Sequence, residues 1–313
     1  MTTFADALYQ NGGMPVGVNP VYNKIFSVIR GANYLKGRAW FVDPSQERNG
    51  NGKSPSTPFE TMEECFDNLH SGDIVYCLGN IREQLVAPVQ VFDVTFVGAG
   101  NRPRNADAVP LGGGYSGVTW RAPAAGTAGQ ATVRVLQQGW TFINILFGMY
   151  DANSAGIEIV RNAGADDAER DGSHCSILGC RFAGDGIGIR SGVAGTFTEN
   201  TFNVLVQGNK FNSCTTAILQ TAGFGGNQWS IEDNEFFQNT NDITGPFSNT
   251  KILRNSMSLA PTASIVLTGG AGNMVHGNNL PGTYAAGTLY APGTNDDWNG
   301  NAASTGFTAA VPV

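Results

Sequence analysis

The 313-residue chain carries a net charge of −7, and charged residues make up only 14 % of it, well below the roughly 25 % usual in soluble proteins. With 42 glycines and 29 asparagines it has too many turn-forming and left-handed positions for a helical bundle or coiled coil, so an all-β architecture with frequent corners is expected. No apolar run is long enough to span a bilayer, and the start has no basic segment leading into an apolar one, which predicts synthesis in a cytosol without export.

Residues 7 to 42 hold Lys24, Arg30, Lys36 and Arg38 and no acid, so this stretch is +4 in a chain that is −7 overall. It reads as a basic N-terminal docking arm over 1–38, facing an acidic surface, while the low charge density argues against a nucleic-acid groove. Next comes one helix signal. Thr57, Pro58 and Glu60 fit the cap, first and third positions of a capping box, Met62, Cys65, Phe66 and Leu69 share a face, and Gly72 ends the segment. Such a helix would cover the open end of the β-structure C-terminal to it.

The second half of the chain is a repeat. Ile177–Phe182, Val206–Phe211, Ile231–Phe236, Ile252–Met257 and Val275–Leu280 share the pattern apolar, any, Gly or polar, Asn, any, apolar, with Cys180 in the Asn place of the first. Their spacings are 29, 25, 21 and 23 residues, and Phe142–Phe147 fits the same frame with an apolar residue in the Asn place. Apolar alternation gives a short strand, and the Gly-Asn pair gives a sharp corner with one left-handed residue. A single unit cannot bury its inward face, so units stack, which aligns Asn209, Asn234, Asn255 and Asn278 into a hydrogen-bonded ladder inside one corner. The repeat defines a β-helical body over 39–280, about eight coils and about 40 Å long. Residues 281–313, rich in Ala, Gly and Thr, are expected to form a C-terminal cap or tail.

Candidate chemistry is sparse. Asp166, Asp167, Glu169 and Asp171 form the densest acidic cluster, in a segment between coils, and Asp185, Glu232 and Glu235 point outward on neighbouring coils as a possible second set. Tyr115, Trp120, Trp229 and Trp298 are candidates for stacking on sugar rings. Cys65, Cys77, Cys175, Cys180 and Cys214 form an odd set without a CxxC pair and read as buried thiols. His70, His174 and His276 lack metal-ligand spacing, so neither a metal nor a cofactor is expected.

The asparagine-cornered units resemble those of right-handed parallel β-helix proteins of the pectin-lyase-like superfold. So does the lead-in formed by Trp40–Pro44, Asn49–Phe59, Gly72–Tyr76 and Arg82-Glu83, with Val94–Gly100 similar to a first full coil. The resemblance implies an all-β, right-handed parallel β-helix with a short N-terminal capping helix. Acidic motifs typical of pectate lyases and the Asn-Thr-Asp and Gly-His-Gly motifs of polygalacturonases do not occur in this sequence. The resemblance therefore favours a non-enzymatic structural protein of a tailed-phage virion, a homotrimeric spike or decoration on capsid or tail. Its expected partners are its own copies, other virion proteins including the capsid shell, and a host surface glycan, with neither nucleic acid nor membrane. The alternative is a polysaccharide lyase or glycoside hydrolase acting on such a glycan.

Overall fold

The computed structural model describes residues 38–46, 49–99, 118–161, 171–192, 199–221, 226–258, 262–280 and 289–303. Lys24, Arg30, Lys36, Tyr115, Asp166, Asp167 and Glu169 lie outside them.

Short strands of two to five residues stack into three sheets whose named strands pair in parallel. Sheet 1 has ten strands, from Ala39–Val42 to Asp297–Asn299; sheet 2 has nine, from Asn80–Arg82 to Ala302–Ala303; sheet 3 has eight, from Leu85–Val86 to Leu289–Ala291. Each coil visits the sheets in turn, which makes the body a right-handed parallel β-helix.

Alternation sorts the side chains. In sheet 1, Phe96, Phe142, Ile177, Val206, Ile231, Ile252 and Val275 fall in register on the inward side and are fully buried. In sheet 2 the inward column is aromatic: Phe147, Phe182, Phe211 and Phe236 stack with centroids 5.4, 4.8 and 4.9 Å apart. Offset stacking of this kind adds to the burial of each ring. Trp120 joins the top of the column, 5.9 Å from Phe147.

The corner between sheets 1 and 2 repeats one backbone solution. Asn144, Gly179, Gly208, Asp233, Arg254, Gly277 and Gly300 all have φ between 54° and 66°. Glycine holds this conformation without penalty and other residues do not, so Gly208→Ala is expected to lower stability by about 1 kcal/mol in a urea titration although nothing crowds the site. A loss near zero would mean that the corner relaxes out of the left-handed region. After Gly208, Asp233, Arg254, Gly277 and Gly300 the ladder asparagine turns inward, while Ile145 and Cys180 take that place in the two earlier corners. The Oδ1 atoms of Asn209, Asn234, Asn255 and Asn278 accept the backbone N–H of the residue one coil earlier at 2.8–2.9 Å, and each Nδ2 donates to an interior carbonyl.

Two boundaries differ from the sequence reading. The helix runs Met62–Asn68 and its capping box is Thr61 with Glu64, four residues later than Thr57 with Glu60. Residues 57–59 are held elsewhere: Thr57 closes a turn onto Ser54, and Phe59 exchanges backbone hydrogen bonds with Phe41 and Asp43 beside the first strand. Glu83 adds a second cap, accepting from the Met62 and Glu63 amides at 2.8 Å, and burial pushes its carboxyl upward. Met62, Cys65 and Phe66 seal the first coil, with Phe66 edge-on to Trp120 and Trp140.

The other correction is at the far end, where the sequence reading sets 281–313 apart from the repeat. Residues 289–303 add one strand to each sheet, and Asn301 extends the ladder by accepting from the Asn278 amide at 3.0 Å. Trp298-Asn299-Gly300-Asn301 carries the repeat pattern, so the boundary at 280 falls inside the solenoid.

Candidate functional site

The carboxylates singled out in the sequence are separated by the fold. Glu232 ends a strand of sheet 1 and Glu235 begins one of sheet 2, on either side of the Asn234 corner; Asp185 sits in the turn from sheet 2 to sheet 3, and Asp171 ahead of a strand of sheet 1. Most are held by partners. Arg254 donates to Asp233 at 2.8 and 3.1 Å and to Glu232 at 3.0 Å, Ser230 Oγ donates to Glu232 at 2.7 Å, and Lys210 pairs with Glu235 at 2.9 Å. The Arg254 guanidinium holds the Asp233 carboxyl below its ordinary range. Asp171 accepts from Ser173 N and Gln138 Nε2. Asp185, Glu232 and Glu235 thus sit on three different elements: the turn into sheet 3, a strand of sheet 1 and a strand of sheet 2.

The tryptophan candidates are corrected by burial. Trp120 and Trp229 are 0 % and 1 % exposed, and Trp298 faces inward opposite Val275 and packs against the core. A single-sequence reading has no register with which to tell inward from outward for these residues. Arg38 is tied to the first coil, donating its amide to Asp73 at 2.7 Å and lying over the Trp40 ring. The cysteines are buried, and burial pushes the Cys175 thiol up to about 12. Among the described residues no group of three or more His, Cys, Asp or Glu is placed to hold a metal ion.

Two charged groupings emerge only with the fold. On the outer side of sheet 3, Glu158 is fully buried between Arg134 and Arg190, its register neighbours, and Arg190 also donates to the carbonyls of Asn153 and Gly129. The ion pairs and extra hydrogen bonds make this a structural tie. Its trace in the sequence is one charged residue flanked by β-branched residues in Val133–Val135 and Ile157–Ile159.

The second grouping lies on the outer face of sheet 2. Arg82 and Arg121 are paired in register and followed in the same column by Gly148, Ala183, Asn212 and Phe237; the adjacent column holds Leu146, Arg181, Lys210 and Glu235. Asn144, Leu146, Gly179, Arg181 and Lys210 line a cavity of about 50 Å³ at the edge of this face. That is room for a few waters only, against the roughly 300 Å³ or more of small-molecule pockets.

No family model and no curated protein matches the chain. Among solved structures it is similar to tailspike protein 2 of an Escherichia coli O157:H7 bacteriophage, at 12 % identity and a TM-score of 0.45 over 85 % of this chain and 38 % of that one. The chain thus spans well under half the length of that tailspike. It is also similar to a pectin methylesterase from Aspergillus niger, at 12 % identity and a TM-score of 0.40 over 84 % and 86 % of the two chains. A lacto-N-biosidase from Eubacterium ramulus aligns at 10 % identity and a TM-score of 0.31 over 90 % and 71 %. At these identities the likeness is one of fold alone. Three stacked all-parallel sheets with asparagine-laddered corners give this chain the right-handed parallel β-helix of the pectin-lyase-like fold.

Proposed function

We propose that the chain is a structural component of a tailed-phage particle, a β-helical rod displayed on capsid or tail that acts by binding and not by turnover. One observation carries the reading: Glu232, Asp233 and Glu235, the outer carboxylates around the Asn234 corner, are engaged in ion pairs with Arg254 and Lys210, while Asp185 lies in a different turn, between sheets 2 and 3. General acid–base catalysis on a glycan needs two carboxyl groups facing one bond at a fixed separation. The interior supports the same reading, since laddered asparagines and stacked rings give a stiff scaffold suited to holding a surface at a distance. The basic N-terminal arm over 1–38 is the element proposed to seat the rod on an acidic surface of the particle.

Purified particles are expected to contain the chain at a fixed ratio to the major capsid protein by quantitative mass spectrometry. Incubation of the purified protein with host surface glycans is expected to release neither reducing ends nor unsaturated products. Absence from the particle overturns the virion assignment; product formation that Glu232→Gln abolishes overturns the non-catalytic one.

A further inference from the structure

The corner between sheets 1 and 2 is closed coil by coil through its left-handed residue. The amides of Gly179, Gly208, Asp233, Arg254 and Gly277 each donate to the carbonyl of the residue that precedes the corner one coil on, at 3.0–3.1 Å. The Asn299 carbonyl accepts the last of these bonds, and among the described residues no coil follows to take the Gly300 amide. Asn299 ends the last strand of sheet 1, and both it and Gly300 are exposed. A Cβ built on Gly300 would meet nothing nearer than the Gly277 nitrogen, 4.0 Å away, so the backbone here has room to turn.

The chemistry of an Asn-Gly pair gives this freedom a consequence. Glycine puts no side chain in the way of its own nitrogen, so that nitrogen reaches the preceding asparagine side chain wherever the backbone can turn. Three such pairs lie among the described residues, and the fold holds the other two shut. Asn49 Oδ1 accepts the Glu60 amide at 3.1 Å and the Gly50 amide donates to the Pro58 carbonyl at 2.8 Å. Asn51 Oδ1 accepts from Lys53 N and Thr57 Oγ1 at 3.1 and 3.0 Å, and the Gly52 amide donates to the Thr57 carbonyl at 2.8 Å. Thr57 and Phe59 pack directly over these two glycines. In the interior coils Gln207, Glu232, Leu253 and His276 occupy the register position of Asn299.

We propose that Asn299 is a site of spontaneous deamidation, with water as the co-reactant and the last coil as the element it changes. The Gly300 nitrogen, giving up its proton, attacks Asn299 Cγ; the Cγ–Nδ2 bond breaks and ammonia leaves carrying that proton. Water then opens the resulting five-membered succinimide at either carbonyl, which yields aspartate or isoaspartate. The net change is one water taken up and one ammonia released, with nothing oxidised or reduced. Isoaspartate inserts an extra main-chain carbon just ahead of Asn301, whose Oδ1 accepts the backbone and side-chain amides of Asn278 at 3.0 and 2.9 Å and whose Nδ2 donates to the Val275 carbonyl at 2.7 Å. The reaction thus unfastens the last rung of the asparagine ladder and leaves the rungs from Asn209 to Asn278 in place. It belongs to the isolated chain and does not depend on where the rod is displayed.

The test incubates the full chain at mildly alkaline pH, in native buffer and in concentrated urea, and follows the amide-to-acid mass gain at Asn49, Asn51 and Asn299 by peptide mapping. In native buffer Asn299 is expected to convert at least about tenfold faster than the other two, because reaction passes through local opening and opening is easiest where fewest bonds hold the backbone. In urea the three rates are expected to converge. Asn299→Gln is expected to abolish conversion at this position, since the longer side chain closes the corresponding ring far more slowly. Hydrogen exchange of the Asn278 amide is expected to quicken in the isoaspartate-containing chain and to stay at the wild-type rate in Asn299→Asp, which carries the new charge without the extra main-chain atom. Similar native rates at the three sites, a lead of Asn299 that persists in urea, or an unchanged Asn278 exchange rate in the isoaspartate chain overturns the proposal.

Discussion

Asn234→Ala is expected to lower the unfolding free energy by about 3–5 kcal/mol, among the larger single losses the chain can suffer. The residue is 2 % exposed and sits in mid-ladder, so water does not reach its partners. Its Oδ1 accepts from both the backbone and side-chain amides of Asn209, at 2.9 and 3.0 Å, and its Nδ2 donates to the Val206 carbonyl at 2.9 Å. Alanine leaves the Asn209 N–H and the Val206 C=O buried without these partners, and each orphaned group costs about 1–3 kcal/mol. Asn212→Ala removes an asparagine of partly exposed, outward position on the next strand and is expected to cost under about 0.5 kcal/mol. Urea denaturation of the two variants separates the cases. A loss below about 1 kcal/mol for Asn234→Ala would mean that the corner opens to solvent, and the ladder would then not be the feature that fixes coil register.

The repeat is legible because two periodicities coincide in it. An apolar residue every second position and a left-handed residue before each asparagine both arise from local sequence, and together they specify strand, corner and stacking. The last coil is harder to see although Asn299-Gly300-Asn301 carries the same signal, because the surrounding Ala, Gly and Thr residues lack the bulky apolar pair that marks other units. The capping box is displaced because Thr57 and Pro58 satisfy the local pattern equally well, and only pairing of Phe59 with the first strand decides between them. Register is the more general gap. Arg82 and Arg121 become neighbours only once sheet 2 is assembled across the connection between their strands, as do Arg134, Glu158 and Arg190 in sheet 3. The acids and tryptophans that stand out in the sequence are residue types suited to glycan chemistry, and chemistry of type says nothing about which side of a pleat a residue occupies.

Asp242 lies where alternation itself fails, and its position couples stability to pH. The strands of sheet 3 turn two successive residues into the core at their start: Ala217 and Ile218 are both fully buried core residues, and Asp242 and Ile243 occupy the matching places one coil on. The carboxyl is thereby carried inside the solenoid, 0 % exposed, with Oδ1 accepting from Asn239 Nδ2 at 3.0 Å and Oδ2 buried without a hydrogen-bond partner. Burial pushes Asp242 up to about 8, opposed by the side-chain dipoles of Asn239 and Ser264. Below the ordinary aspartate value of 3.8, folded and unfolded chains are both protonated here and the group is neutral to stability. Between 3.8 and about 8 the unfolded chain loses this proton and the folded one keeps it, so stability falls with rising pH by about 1.4 kcal/mol per unit from this group. Asp242→Asn removes the titration while preserving shape and a hydrogen-bond acceptor. The variant is expected to match the wild type near about pH 4 and to exceed it by several kcal/mol at about pH 8, with the difference levelling off above that. Asp233→Asn provides the opposite sign: Arg254 holds that carboxyl low, so its modest contribution is present above the ordinary value and is lost on acidification. Melting curves from about pH 2 to 9 read both effects, Asp242 above about pH 4 and Asp233 below it. If the Asp242→Asn advantage stays flat across that range, the carboxylate is solvated in the folded state and the sheet 3 strand does not turn it inward.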